Sequence, residues 1–188
     1  RADSSPLFKH PGFPVYLCAR LSSMFAFQML SVAVGWQIYD ITHRAFDLGV
    51  IGLVQFIPSF VLALPAGHVA DRFDRRRIVL VCQGVEGAAT LLLAAGSWLH
   101  WFDVPAILII VFVIGCARAF EFPTMSALLP SLVPVALLSR AMAAGSSASM
   151  SAMIIGPALG GFLYVAGAGT VYGVAGLLFV TASLLMWR

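Results

Sequence analysis

Six long apolar runs, separated by short polar segments, dominate the hydropathy pattern of this chain. They lie at about 15–37, 48–69, 78–99, 104–120, 141–166 and 171–187. Each has roughly the 17–25 residues that a helix needs to cross the hydrocarbon core of a bilayer. None alternates like a barrel strand, so helices are the expected spanning elements. The pattern predicts an all-α membrane protein, with a polar tail at 1–14 and a six-helix transmembrane bundle at 15–188.

Prolines punctuate two parts of this pattern. Pro58 and Pro65 fall inside the second run, where neighbouring helices can satisfy the carbonyls that proline frees. The stretch 122–139 holds three further prolines, so we expect it not to form one continuous helix and to lie at the membrane interface.

Composition agrees with a membrane location. The chain is 61% hydrophobic and 10% charged, whereas a soluble domain keeps about 25% charged residues. Its basic residues lie beside the apolar runs and form no polar face, so we expect no nucleic-acid partner. The three cysteines are isolated within apolar runs, so the sequence predicts no metal site and no cofactor.

The distribution of lysine and arginine residues predicts which side of the membrane each loop lies on. With six crossings, the tail, the 72–77 loop, the 118–140 connection and Arg188 fall on one side, while the other side has only Arg44. By the positive-inside rule, both termini and the 72–77 loop are cytoplasmic. Arg20, near the start of the first run, is expected to reach back to the interface.

A short charged loop between the second and third runs carries the most specific signal. Its residues follow the order Gly-x-x-Ala-Asp-Arg-x-x-Arg-Arg, with Gly67, Asp71, Arg72, Arg75 and Arg76 at the distinctive positions. This resembles the loop between helices two and three of major facilitator superfamily transporters, although a later glycine of that pattern is replaced by Asp74. A purely topological basic loop is the alternative, but it would require neither the glycine nor the aspartate.

A second likeness lies in the fifth run. Gly156, Pro157, Gly160 and Gly161 match the Gly-Pro-x-x-Gly-Gly element of the exporting branches of that superfamily. Small residues also allow close helix packing in any membrane protein. Beside the loop match, the resemblance implies an exporter that exchanges its substrate for protons, and hence an antiporter.

Further similarity, at 36–40 and 127–134, is to the enterobactin-exporter-like group of the superfamily. The resemblance covers nearly the whole chain, but only the first six of the usual twelve helices. It implies one half of a major facilitator fold, built of three-plus-three inverted repeats, with the substrate site between this half and a C-terminal six-helix half. Because the chain begins with Arg1 and ends directly after an apolar run, we expect a piece of a longer protein.

Glu86 is the ionisable group deep inside a run, about 12 Å beyond its cytoplasmic start at 1.5 Å per residue. A carboxylate there is costly and suggests a proton carrier or a counter-ion for a cationic substrate. A protonated packing residue that bonds Gln83 is an equal alternative. Gln28 and Gln55 are candidates for the same cavity, although hydrogen bonds between helices would explain them as well.

Arg118 and Glu121 are three residues apart and therefore share a helix face at the exit of the fourth run. The resemblance implies that such groups pair with the charged loop and hold the outward-open state, so Glu121 is the expected partner of Arg75 or Arg76. Simple anchoring at the interface is the alternative, above all for Arg118.

No serine-protease, zinc-protease or nucleotide-binding motif is present, so the sequence predicts no enzyme. It predicts instead a secondary active transporter in a bacterial-type inner membrane, which exports a small organic molecule of siderophore or drug type by alternating access. The lipid bilayer, protons and a C-terminal half are the expected partners. A six-helix membrane subunit or truncated remnant without transport activity is the alternative.

Overall fold

The computed structural model describes residue 7 and residues 12–187, and in this part of the chain it contains helices and no strands. The helices are α1 (Gly12–Thr42), α2 (Ala45–Val61), α3 (Ala63–Arg72), α4 (Arg75–Trp98), α5 (Val104–Leu132), α6 (Leu138–Tyr164) and α7 (Ala168–Trp187). A short 3-10 turn, Val135–Leu137, precedes α6. Most of the predicted 1–14 tail, with Lys9, and also Arg188 lie outside the described residues.

Six membrane crossings follow if α2 and α3 are one bent span. The other five helices are each long and apolar enough to cross a bilayer, and α2 and α3 together meet the same criteria with a 49° bend between them. The prediction of an all-α protein is therefore confirmed for the described residues, which contain five apolar helices of spanning length, or six spans if the bent pair is one.

Proline chemistry explains the break in the second span. Pro65 has no N–H, and its ring clashes with the carbonyl four residues earlier, which is that of Val61. Helix α2 ends at Val61, and Leu62 at the break leaves helical geometry while its N–H donates to the Pro58 carbonyl. The two halves of this span therefore point in different directions across the membrane.

The fourth span is longer than the sequence suggested. We expected it to end near 120 and the prolines to keep 122–139 from being helical throughout, yet α5 continues to Leu132 with Pro123 and Pro130 inside it. Membrane helices tolerate internal proline, which bends them without ending them. The helix ends only before Pro134, where Val133 adopts the extended conformation that proline imposes on the preceding residue.

Two apolar clusters form the core of the bundle. The larger lies in the half away from the charged loop and includes Leu30, Leu93, Ile107 and Tyr172, from α1, α4, α5 and α7. The second lies towards the charged loop and includes Phe13 and Met186 with residues from α4, α5 and α6. Helices α1, α4, α5 and α7 are thus the packed centre of the bundle.

By contrast, α2, α3 and α6 carry large apolar side chains on their outer faces. Phe60, Leu64, Ile154 and Phe162 are each more than 70% exposed within this chain. Such faces need lipid or further protein to cover them.

A polar cluster joins the helices at the end of the bundle opposite the charged loop. The side chain of Gln37 donates to Ser97 Oγ at 2.9 Å and accepts from Tyr172 Oη at 2.7 Å, which joins α1 to α4 and α7. Tyr164 Oη donates to Asp40 at 2.7 Å and joins α6 to the end of α1.

The Gly-Pro-x-x-Gly-Gly element brings α6 close to α1. A Cβ atom added to Gly160 would lie 3.0 Å from Met29 Cα, and one added to Gly156 would lie 2.6 Å from Gln28 Cβ. Gly161 faces open space. Two of the three glycines therefore permit the close approach of these helices, as small residues do in membranes.

This contrast predicts opposite effects of the same substitution at adjacent positions. Gly160→Ala should lower the melting temperature of the detergent-solubilised protein, because the added methyl group overlaps the α1 backbone, at a cost of about 1–3 kcal/mol. Gly161→Ala should be neutral or slightly stabilising, because alanine favours helix by about 1 kcal/mol over glycine. Equal melting temperatures for the two variants would show that α1 and α6 are not in this contact.

Candidate functional site

The charged loop is short and well formed. Asp74 is the N-cap of α4, and its side chain accepts a hydrogen bond from the Arg76 N–H at 3.0 Å. Aspartate is a preferred residue at this position. With φ of −61°, Asp74 does not adopt the left-handed conformation for which glycine is required. Asp74 can therefore replace the glycine of the major facilitator loop pattern without backbone strain.

Arg75 and Arg76 tie this loop to two other helices. Arg75 donates from Nη1 to the Ala127 carbonyl of α5 at 2.9 Å and from Nε to the Ala70 carbonyl at 3.3 Å. Arg76 donates from Nε to the Met186 carbonyl of α7 at 2.5 Å. The latter carbonyl belongs to the last turn of α7, where helix carbonyls lack partners and a cation is favourable.

The start of the charged segment, in α3, is free. Asp71 and Arg72 are exposed and make no ion pair or side-chain hydrogen bond with the described residues, and a Cβ atom at Gly67 would meet nothing within 4 Å. The segment therefore has one half bound to this bundle, at Arg75 and Arg76, and one half open to another surface.

Arg118 and Glu121 form a buried ion pair in α5, on one face of the helix as their spacing predicts. Arg118 Nη1 lies 2.5 Å from Glu121 Oε2, and the two side chains are 14% and 3% exposed. The Arg118 guanidinium also lies 4.5 Å from the centre of the Phe27 ring, within cation–π range.

Neighbouring helices supply the remaining partners of the pair. Ser23 of α1 donates to Glu121 Oε1 at 2.6 Å, and Gln83 of α4 donates to the same oxygen at 2.8 Å. Arg118 also donates to Ser23 Oγ at 2.9 Å. Arg118 and Glu121 thus neutralise each other and also have further hydrogen-bond partners, as a buried ion pair requires.

This arrangement corrects the expected pairing of Glu121 with Arg75 or Arg76. Glu121 is engaged by Arg118, Ser23 and Gln83, while both loop arginines bind main-chain carbonyls. Sequence spacing showed which residues share a face of α5, but the distance to another helix depends on packing.

Glu86 lies on α4 one turn beyond Gln83, and it has no hydrogen-bond partner. The residue is completely buried, and neither carboxylate oxygen finds a donor in the described part of the chain. The bond with Gln83, which was one of the two alternatives, is not formed: the Gln83 amide N–H donates to Glu121, and its amide oxygen has no partner among the described residues. An ionised carboxylate in such a place would be strongly unfavourable.

A cleft of about 790 Å³ opens between α1, the α2–α3 bend, α5 and α6. Gln28 lines it, as the sequence predicted, whereas Gln55 and Glu86 do not. Gln55 lies instead against Gly115 of α5, with its amide nitrogen buried and unpaired. The cleft lining is formed by Arg20, Met24, Phe27, Gln28, Ser59, Ala63, Arg118, Ala119, Phe122, Pro123, Ser146, Ser149, Met150 and Met153.

Arg20 lines the cleft, a position that the sequence did not predict. It donates to Ser149 of α6 and, one turn back along α1, to Tyr16 Oη. The available signal was an arginine within an apolar run, which is a functional hypothesis by default. Ser23 gave no signal, because serines are common in membrane helices.

Up to six candidate membrane helices, a charged loop after the second span and a cleft that presents two arginines are features typical of a membrane transporter. The sequence model of the family described as "Transmembrane secretion effector" matches residues 3–188. The chain belongs to this family of the major facilitator superfamily, which places it among transporters and not among enzymes.

Similar proteins of known activity are exporters. Macrolide efflux protein A of Streptococcus pyogenes is 28% identical over 148 residues, which are 76% of this chain and 35% of that protein. The enterobactin exporter EntS of Salmonella choleraesuis is 28% identical over 163 residues, which are 87% of this chain and 39% of that protein. The chain thus spans less than half the length of these relatives. No solved structure matches it significantly.

The buried pair predicts strong coupling between two substitutions. Arg118→Gln and Glu121→Gln should each lower the melting temperature of the solubilised protein markedly, because breaking a buried pair costs about 3–5 kcal/mol. The double variant should be less destabilised than the sum of the two, since no charge is left alone. Additive losses in this double-mutant cycle would show that the two side chains do not interact.

Proposed function

We propose that this chain is the N-terminal half of a proton-coupled exporter of small organic molecules. The observation that carries the proposal is the cleft of about 790 Å³, bordered by a buried polar network and lying near a buried carboxyl without a partner. Its size is within the range of small-molecule sites in proteins, about 300–1,000 Å³. The efflux relatives favour this function over a membrane subunit without transport activity.

The proposed architecture is that of a major facilitator half with three-plus-three inverted repeats, whose partner is a C-terminal six-helix half. The exposed apolar faces of α2, α3 and α6 adjoin the cleft and support this, because a second half that covers them would close the cleft into a central cavity. Alternating access would then arise by rocking of one half against the other, in a bacterial inner membrane with both termini cytoplasmic.

Glu86 is the proposed proton carrier. Glu121 is already bound by Arg118, Ser23 and Gln83, whereas Glu86 has no partner among the described residues to hold its charge. We infer that Glu86 carries a proton in this conformation and releases it when a change of state brings water or a cation to it.

Asp71 is the proposed latch residue. It lies in a segment that is anchored on one side by Arg75 and Arg76, while its own carboxylate is exposed and unpaired in the described part of the chain. A latch of this kind would bind a donor on the second half in one state and release it in the other, which biases the equilibrium between them.

Glu86→Gln should separate substrate exchange from proton coupling. Glutamine keeps the shape of the protonated acid, so we expect substrate exchange across the membrane to continue while efflux driven by a proton gradient falls about tenfold or more. Efflux of erythromycin, carboxyfluorescein and rhodamine 123 from proteoliposomes would be measured with and without an imposed pH gradient. Asp47→Asn, in the first turn of α2, is the control. Unchanged gradient dependence in Glu86→Gln would remove Glu86 from the mechanism.

Asp71→Asn should lower efflux several-fold at unchanged membrane expression, because one conformational state loses its latch. Arg77→Gln in the same loop is the matched control, since Arg77 is 88% exposed and forms only a loose 3.6 Å pair with Asp74. Efflux from cells that express either variant, normalised to protein in the membrane, tests this. Wild-type efflux by Asp71→Asn would exclude the latch.

A further inference from the structure

The cleft has an unbalanced charge. The only charged residues among its described lining are Arg20 and Arg118, and no carboxylate faces it. The charge of Arg118 is offset by Glu121, which lies behind it in the buried pair. The net charge presented to the cleft is therefore the positive charge of Arg20.

Arg20 is held by neutral groups alone. Its Nε donates to Ser149 Oγ at 3.2 Å and its Nη1 donates to Tyr16 Oη at 2.8 Å. No carboxylate lies within ion-pair distance of it among the residues that the structure describes. These two hydrogen bonds fix the direction of the guanidinium towards the cleft but do not neutralise it.

An unpaired guanidinium at this depth is costly. Arg20 lies eight residues after Gly12, where α1 begins, so it is about 12 Å into the helix at 1.5 Å per residue. Cations inside the membrane normally pair with an acid or face a water-filled cavity. The position of Arg20 is therefore favourable only when the cleft holds water or an anion.

The walls around Arg20 are apolar and adaptable. Met24, Phe27, Phe122, Met150 and Met153 contribute most of the apolar lining. Methionine side chains are flexible and polarisable, and aromatic rings pack against flat molecules. Such walls suit an amphiphile with an extended apolar or aromatic body and tolerate variation in its shape.

We propose that the cleft binds amphiphilic organic anions, whose acidic group pairs with Arg20 and whose apolar body lies against the methionine and aromatic walls. The proposal rests on the proposed function, because it treats the cleft as the transport site. Guanidinium binds carboxylate, sulfonate or phosphate groups through paired hydrogen bonds. Nη2 of Arg20 makes no hydrogen bond within the described part of the chain and is available for one of them. Cations of the same shape are disfavoured by the same charge.

Two xanthene dyes of similar shape and opposite charge test this assignment. Carboxyfluorescein is an anion and rhodamine 123 is a cation, and the binding of each to purified protein in phosphatidylcholine nanodiscs is followed by fluorescence anisotropy. We expect the wild-type protein to prefer carboxyfluorescein. Arg20→Gln should weaken carboxyfluorescein binding about tenfold or more and leave rhodamine binding unchanged or stronger, because one charge-assisted contact is lost.

Arg20→Lys and Arg44→Gln make the result specific. Lysine keeps the charge but not the planar fork, so Arg20→Lys should retain the preference for the anion at lower affinity. Arg44 lies in the exposed loop between α1 and α2, and its loss should not alter binding. If Arg20→Gln fails to insert or fold, Arg20→Lys is compared with the wild-type protein instead. Weaker carboxyfluorescein binding by Arg20→Lys, with rhodamine binding unchanged, then supports the proposal, and equal carboxyfluorescein binding by the two proteins overturns it.

Equal affinity of the wild-type protein for the two dyes would overturn the proposal, and it is the result expected if a carboxylate elsewhere in the protein neutralises Arg20. Displacement of carboxyfluorescein by phosphatidylglycerol added to the nanodiscs would also overturn it, because the occupant would then be a lipid headgroup. These binding measurements need no proton gradient. If the protein shows gradient-driven efflux but no preference for the anionic dye, only the anion inference is refuted. If it shows an Arg20-dependent preference for the anionic dye but no gradient-driven efflux, only the proposed transport function is refuted.

Discussion

The buried pair of Arg118 and Glu121 is the interaction on which the half of the bundle nearer the charged loop depends. It joins α5 to α1 through Ser23 and to α4 through Gln83, so three helices share one polar centre. In hydrocarbon no water can replace a missing partner, and loss of either charge would leave the other exposed to the full desolvation cost. The rotation of α1, α4 and α5 about their own axes is therefore set by one hydrogen-bonded cluster, while apolar packing alone would permit several rotations.

Two ionisable side chains near this network have no ion-pair partner among the described residues, and each has a different environment. Glu86 is enclosed in protein behind the network, whereas Arg20 lies on the cleft side of it. Because Glu121 has all its partners within this chain, these two residues are the ones whose energies depend most on what else enters the site. Because their environments differ, we propose different roles for them: proton exchange for the enclosed Glu86 and substrate recognition for Arg20 in the open cleft.

Helix number and the charged loop followed from the sequence because both are one-dimensional properties. A bilayer requires a minimum apolar length, and the loop is defined by spacing within a few residues. The positions of Glu121 relative to Arg75, and of Arg20 relative to the cleft, depend on helix rotation and on distances between elements far apart in sequence. The length of α5 was missed for a local reason, since Pro123 and Pro130 bend a membrane helix that only Pro134 ends.

Proline is distributed unevenly across the bundle, and its positions match the cleft. The helices around the cleft contain Pro58 and Pro65 in the bent span, Pro123 in α5 and Pro157 in α6. Helices α4 and α7 pack against each other, contribute nothing to the cleft lining and contain no proline. Residues that permit bending therefore surround the cleft, while a regular pair of helices supports it from behind. A cavity that must change shape between two states needs this division, because bends absorb movement only when the elements behind them stay fixed.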